Sequence, residues 1–291
     1  RVERGRLEVA MESFAVSLAH RETTIGRAPY AGIAMRLDDL DLAKPLERYA
    51  ASIDVPSATI SNVASLAAYT ELPFESGATT VSAHADVDPH GVSGRAKLDW
   101  TTVSVKLPRG SAMGGGHIDI ALRRFDFDRA RGEIENARID VRDVAYDQDR
   151  GWWANVATGP FSFQTSRELS AAVMLTGKCR DASVPLGILG VPRIASALVG
   201  GRGFTVSARG TVSPSTLDAS DVRVVGDALE LDAHYHATAQ DKHGAALLVT
   251  KIANVGCEIG HGDVSVRPFA SRDWYERTRH ETVPAAREAW R

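Results

Sequence analysis

The chain has 291 residues, 44% of them hydrophobic and 24% charged, with a formal charge of −3 at pH 7. These values describe a folded protein rather than a disordered one, and a pI near 6.3 gives no electrostatic ground for binding nucleic acid or a strongly anionic membrane. The longest apolar stretch, Leu186 to Val199, contains Pro192 and Arg193 and is too short to span a bilayer.

Hydrophobic alternation begins at once. Leu7, Val9 and Met11 share one parity and Phe14, Val16 and Leu18 the other, so a turn or bulge is expected near Glu12 and Ser13. Ala31, Ile33, Met35 and Leu37 predict a further strand, ending at the turn-forming Asp38, Asp39 and Asp41. Asn62 opens a segment with Val63, Leu66 and Tyr69 at helical spacing and Pro73 closes it, which predicts a short helix over 62–71.

From Thr80 onwards strands dominate. Val81, Ala83 and Val87 point to one face while Ser82, His84 and Asp86 point to the other, because strand side chains repeat every two residues. Leu98 and Trp100 belong to the next strand, and a bulge at Thr101 and Thr102 restores Val105 to the same side. The glycine-rich run 110–116, GSAMGGG, reads as a loop. Ile118, Ile120 and Leu122 follow on one strand, then Ile139 and Val141 after a turn at Ala130, Arg131 and Gly132. A break is expected at Gly151, Trp152 and Trp153, with strands at Phe161–Phe163 and Ala171–Leu175. A second helix is expected over 187–199.

Val206, Ala208 and Val212 then repeat the first hairpin. Val81-Ser82-Ala83, Val87 and Pro89 recur 125 residues later as Val206-Ser207-Ala208, Val212 and Pro214, each copy preceded by a predicted helix. The reading is an internal duplication, about 60–185 and 186–270, within a β region spanning 1–270. Strands are expected at Phe204–Val212, Val222–Val225, Leu229–Tyr235 (with Leu229 and Leu231 facing inward), Ala245–Ile252 and Val264–Phe269. The polar tail 271–291 reads as a short docked helix followed by disorder. The fold class is therefore all-β and mainly antiparallel, with two or three short helices.

Candidate chemistry is thin. Asp126, Asp128 and Glu133 imitate a calcium loop, but the glycine falls at the wrong position and Ala130 replaces a ligand, so turn residues are preferred. The 110–116 run lacks a following Lys-Ser or Lys-Thr and a helix, which excludes a phosphate cradle. His234 and His236 share a strand face but have no third ligand at a readable spacing, and solvent-facing histidines are preferred to a metal pair. Gly91-Val92-Ser93-Gly94 is not a serine elbow, and no nucleophile–base pair is legible. The chain is read as non-enzymatic, without cofactor or metal. Cys179 and Cys257 are either free or one disulfide, and the spacing does not choose. Trp152 and Trp153 are consecutive, so one indole is expected inside and one outside, as a core plug or at the mouth of a groove.

The order of these features carries a resemblance. A helix ending in Tyr69 and Pro73, a hairpin VSAHADV…GRAKLDW, a strand IENARIDVRDVAY and then Gly151-Trp152-Trp153 resemble the AsmA and TamB-like envelope proteins of Gram-negative bacteria. The resemblance covers about residues 60–270 and is one of pattern, not of a diagnostic motif. It implies a long sheet curled into an open groove lined with apolar side chains, and a parent protein in the periplasm tethered to the inner membrane. It also implies phospholipid acyl chains as ligand and a role in outer-membrane lipid transport or assembly. Envelope proteins pairing with exposed sheet edges are the implied protein partners, and membrane contact is implied through parts of the parent outside this chain. Arg at position 1 suggests a fragment or processed form, and no anchor is visible in the chain. The expected groove lining is Val81, Ala83, Val87, Leu98, Trp100, Val105, Ile118, Ile120, Leu122, Ile139, Val141, Val206, Ala208, Val212, Leu229 and Leu231, with Trp152 and Trp153 at the mouth. The competing reading is a structural or adhesive sandwich or solenoid, whose apolar face is a dry core.

Overall fold

The computed structural model describes residues 5–20, 23–40, 49–66, 74–107, 110–146, 149–165, 170–181, 184, 203–213, 215–238, 241–260 and 263–282. The strands are β1 (Gly5–His20), β2 (Thr23–Leu40), β3 (Tyr49–Ile60), β4 (Phe74–Gly77), β5 (Thr79–Asp88), β6 (Gly91–Leu107), β7 (Gly110–Asp126), β8 (Arg131–Tyr146) and β9 (Asp149–Thr158). They continue with β10 (Phe161–Gln164), β11 (Ser170–Cys179), β12 (Phe204–Val212), β13 (Thr216–Val225), β14 (Leu229–Thr238), β15 (Lys242–Thr250), β16 (Asn254–Gly260) and β17 (Asp263–Pro268). A helix, α1 (Arg272–Thr282), follows, and a 3₁₀ turn occupies Val63–Leu66 between β3 and β4.

All 17 strands belong to one sheet, and every registered pair is antiparallel and close in sequence. β1 pairs with β2, β2 with β3 and β3 with β5. β4 and β5 lie end to end against β6. β9 and β10 lie end to end between β8 and β11, the break falling at Gly159 and Pro160, where proline removes a ladder donor. From β11 the meander runs unbroken to β17. Alternating half-apolar strands joined by short turns give this topology, because consecutive hairpins need no crossover.

The all-β antiparallel expectation holds. The parity switch near Glu12 and Ser13 is a register shift between Met11 and Phe14, and the bulge at Thr101 and Thr102 lies between the Trp100–Gly116 and Val103–Gly114 pairs. Asn62 caps as expected, its Oδ1 accepting from the Ala64 amide at 3.0 Å, but the element it opens is described only as the 3₁₀ turn. Residues 67–71 and the expected helix at 187–199 lie outside the described residues, as do Asp41 and the tail beyond 282.

The 110–116 run is strand, not loop. Its glycines serve close approach: a Cβ on Gly116 would stand 2.6 Å from Cζ2 of Trp100 and 2.3 Å from the Asp140 carbonyl, and one on Gly114 would stand 2.8 Å from Val144 Cγ2. The turn expected at 130–132 sits earlier, at 127–130, with Ala130 at φ 47°. Gly132 is already in β8, beneath the ring of Phe163. Gly151, Trp152 and Trp153 lie inside β9 rather than at a break. β16 is a strand that the hydrophobic alternation does not predict, because Gly256 and Gly260 thin its pattern.

Candidate functional site

The sheet has one apolar and one charged face. Following cross-strand partners from β3 to β17 traces a single row: Val55, Ala83, Ala96, Ile120 and Ala137, then Thr158, Leu175, Ala208 and Val222, then Ala233, Ala246, Cys257 and Val266. Its polar member, Thr158, spends its hydroxyl on the Ala137 amide at 3.0 Å. The adjacent row runs through Val81, Leu98, Ile118, Ile139, Val156 and Gly177 to Val206, Val224, Leu231 and Leu248.

The sixteen residues expected to line a groove all stand on this face. Trp100 and Val141 flank Gly116, Leu122 pairs with Ile134, and Val105 returns to the face through the bulge to meet Ala112. Val87 and Val212 sit towards the opposite end of their strands. The two copies of the repeated hairpin fall in the same rows, Val81 with Val206 and Ala83 with Ala208.

The other face is a charge lattice. His84 approaches Asp54 and Asp86 at 3.5 Å, Arg95 and Lys97 converge on Asp119 at 3.5 and 3.7 Å, and His117 and Arg138 meet Asp140 at 3.0 and 2.9 Å. The basic members of these pairs are exposed, while Asp119 and Asp140 are half-buried, and such solvent-screened pairs contribute little stability individually. They do keep that face wet.

The apolar face is not uniformly covered. At one end of the strands Val144, Trp152, Ala154, Cys179, Val184, Phe204, Val224, Leu229 and Leu248 form a continuous buried core. Phe204 is fully buried and lies over Gly226. Beside this core lies an apolar cleft of about 440 Å³, lined from β4 through β9 and also by Val63 and Val184. Leu98, Trp100, Val105, Ile118, Val141 and Trp152 are among its lining residues, and Thr79 is the polar one. Further along the same face Ile139 is 38% exposed, and Ile53, Val212, Leu217 and Val266 are exposed as well. The expected lining thus divides. Leu229 belongs to the packed core, Trp100 and Val105 to the cleft, and Ile139 and Val212 to open surface.

The tryptophan pair splits as parity requires. Trp152 is buried against the cleft and its Nε1 donates to the Asp181 carbonyl at 2.9 Å. Trp153 is exposed on the opposite face, so only one of the two stands at the groove. Cys179 and Cys257 are both free, and burial, with Asp181 adding to it, pushes the Cys179 thiol up to about 11.

His234 corrects the expectation of solvent-facing histidines. It is buried on the charged face beneath α1, 5.7 Å from the ring of Tyr275. Burial, with Arg279 and His243 nearby, pushes it down to about 4. His236 stacks instead on His243, with ring centroids 4.7 Å apart, and meets Asp218 at 3.4 Å. Among the described residues no group of three His, Cys, Asp or Glu side chains converges as a metal site. Asp126 accepts from the Arg129 amide at 3.0 Å, the part of a turn residue.

A second depression of about 550 Å³, between β1–β3 and β5–β6, is lined by alanines, Ser52, Ser93, Asp86 and Asp88 besides Met35 and Val87. It offers no continuous apolar wall. No helix among the described residues is long and apolar enough to cross a membrane. Comparison with protein-family models, curated proteins and solved structures finds no match to this chain.

Proposed function

We propose that this chain is a non-enzymatic lipid-binding segment that holds phospholipid acyl chains against its apolar sheet face. In this reading it serves lipid transport or assembly in a bacterial envelope, in the manner of the AsmA and TamB-like proteins. The observation that carries the reading is the continuous cross-strand row from β3 to β17, made of Val, Ala, Ile and Leu apart from Thr158 and Cys257 and left partly uncovered beside an apolar cleft. A seven-residue stretch of strand is about 23 Å long, close to an extended acyl chain. Each methylene removed from water against such a wall gains roughly 0.8 kcal/mol. A wall of aliphatic side chains offers that burial without choosing among lipids, and head groups stay in solvent. The cleft volume lies within the usual range of small-molecule sites, about 300–1,000 Å³.

One observation favours the competing dry-core reading at one end of the strands: Phe204, Leu229 and Val224 are packed with no space for a ligand. The two regions are separable by charge insertion. Val105→Asp in the cleft and Ile120→Asp on the long row place a carboxylate where water reaches between lipids, so both variants are expected to fold and to lose co-purifying phospholipid. A dry core would instead bury an unpaired carboxylate at a cost of several kcal/mol, and the variants would unfold with no lipid in the wild type to lose. Thermal unfolding together with lipid extraction of the same preparations tests the proposal.

A further inference from the structure

Two large apolar side chains are held out in solvent at one end of the sheet. Ile252 is 96% exposed and Phe269 82% exposed, the highest values among the large hydrophobics described. They occupy neighbouring strand ends: Asn254, which starts β16 opposite Val249, follows the Ile252 turn, and Val255 beside it faces Pro268, the residue before Phe269.

Neither position suits its residue. Ile252 sits in the tight β15–β16 turn, where Gly, Asn or Asp is the ordinary choice. The turn is rigid: Thr250 Oγ1 accepts from the Ile252 and Ala253 amides at 3.3 and 3.0 Å and donates to the Ala253 carbonyl at 2.7 Å. Phe269 has φ 56°, the left-handed region in which a bulky residue is strained and glycine is not. The chain reverses there to carry α1 onto the charged face. Ala270 is buried just beyond, and Ser271 Oγ caps the helix by accepting from the Trp274 amide at 3.1 Å. The reversal needs the backbone conformation and makes no use of the ring. One cation, Lys251, stands beside Ile252 in the chain, while Arg267, two residues before Phe269, lies over the Trp274 ring, 5.6 Å from its centroid.

We infer that Ile252 and Phe269 form a two-pronged anchor that enters the interface of a phospholipid bilayer. Side chains projecting from convex turn tips offer a protein partner little surface to match, whereas a fluid acyl boundary closes around them without a preformed pocket. Aliphatic and aromatic tips seat at that depth while a neighbouring lysine such as Lys251 reaches the phosphates. The contact lies at the strand ends and does not rest on lipid being held along the sheet.

Vesicles of phosphatidylcholine with a minor fraction of phosphatidylglycerol are the probe, with flotation as the readout. The wild type is expected to float with the vesicles, and the double variant Ile252→Ser, Phe269→Ser to lose at least about tenfold in partitioning while its co-purified lipid is unchanged. Phe269→Gly is the sharper variant, since it relieves the backbone: it should unfold at the same or a higher temperature and still bind vesicles more weakly. Ile120→Asp should float like the wild type, which separates this contact from the sheet face. Three results would overturn the anchor. One is a wild type that stays unbound, and another is a double variant that binds as well as the wild type. The third is a wild-type dimer in solution that the double variant dissociates, assigning the prongs to a second copy.

Discussion

Individual residues on the apolar face differ in what surrounds them, and the difference is measurable. Phe204 is wholly buried over Gly226, so Phe204→Ala removes its packing and leaves a cavity, with an expected loss of about 3–5 kcal/mol in urea unfolding. Ile139 occupies an inner row but is 38% exposed, and Ile139→Ala is expected to cost only about 1 kcal/mol. Equal losses at the two sites would mean that the face is one continuous dry core. Trp100 depends on a missing side chain across the ladder. Gly116→Val is expected to lower the unfolding midpoint markedly, because its Cβ meets both the indole and the Asp140 backbone. Single residues were the hardest level to read from sequence. Nothing in the alternation says that GSAMGGG clears space for Trp100 and Val144, since a glycine run looks the same in a strand as in a loop.

At the scale of elements, α1 explains an exception to alternation. β15 carries five consecutive apolar residues, Ala245 to Val249, because α1 covers its outer face with Trp274 and Tyr275 while Leu248 faces the inner core. That run was the available sign of a strand buried on both sides. The helix is seated over Gly256, where a Cβ would stand 2.3 Å from Trp274 Cζ3. Gly256→Val is expected to release it, seen as a red shift in tryptophan emission with strand content preserved. Burial of His234 beneath α1 is expected to make the stability of the fold pH-dependent. The histidine's folded value is near 4 against an ordinary 6.5, so the unfolded chain binds the proton first. Its contribution is complete above pH 6.5, declines as pH falls from there, and is gone below about 4. Urea midpoints measured across that window should fall more steeply in the wild type than in His234→Gln. An unchanged slope would place the pH dependence elsewhere.

The whole molecule is a long antiparallel meander whose two faces differ in solvent. Parity was legible almost throughout, because each strand buries one face and a one-residue slip would turn its aliphatic row outward. The rows through Val81 and Val206 follow from that alone. The packed end around Trp152, Val184 and Phe204 was not legible. It depends on contacts between residues far apart in sequence rather than on any local pattern. Among the described residues β1 and β17 each have one registered partner, leaving backbone groups at both sheet edges as surfaces on which another strand can pair. The central claim is that the apolar face holds lipid, and native mass spectrometry of the purified chain tests it most directly. The account predicts protein ions carrying mass increments of phospholipid that collisional activation removes, and loss of those increments in Ile120→Asp. A wild type that flies only at its bare mass, with Ile120→Asp unfolded, would contradict it.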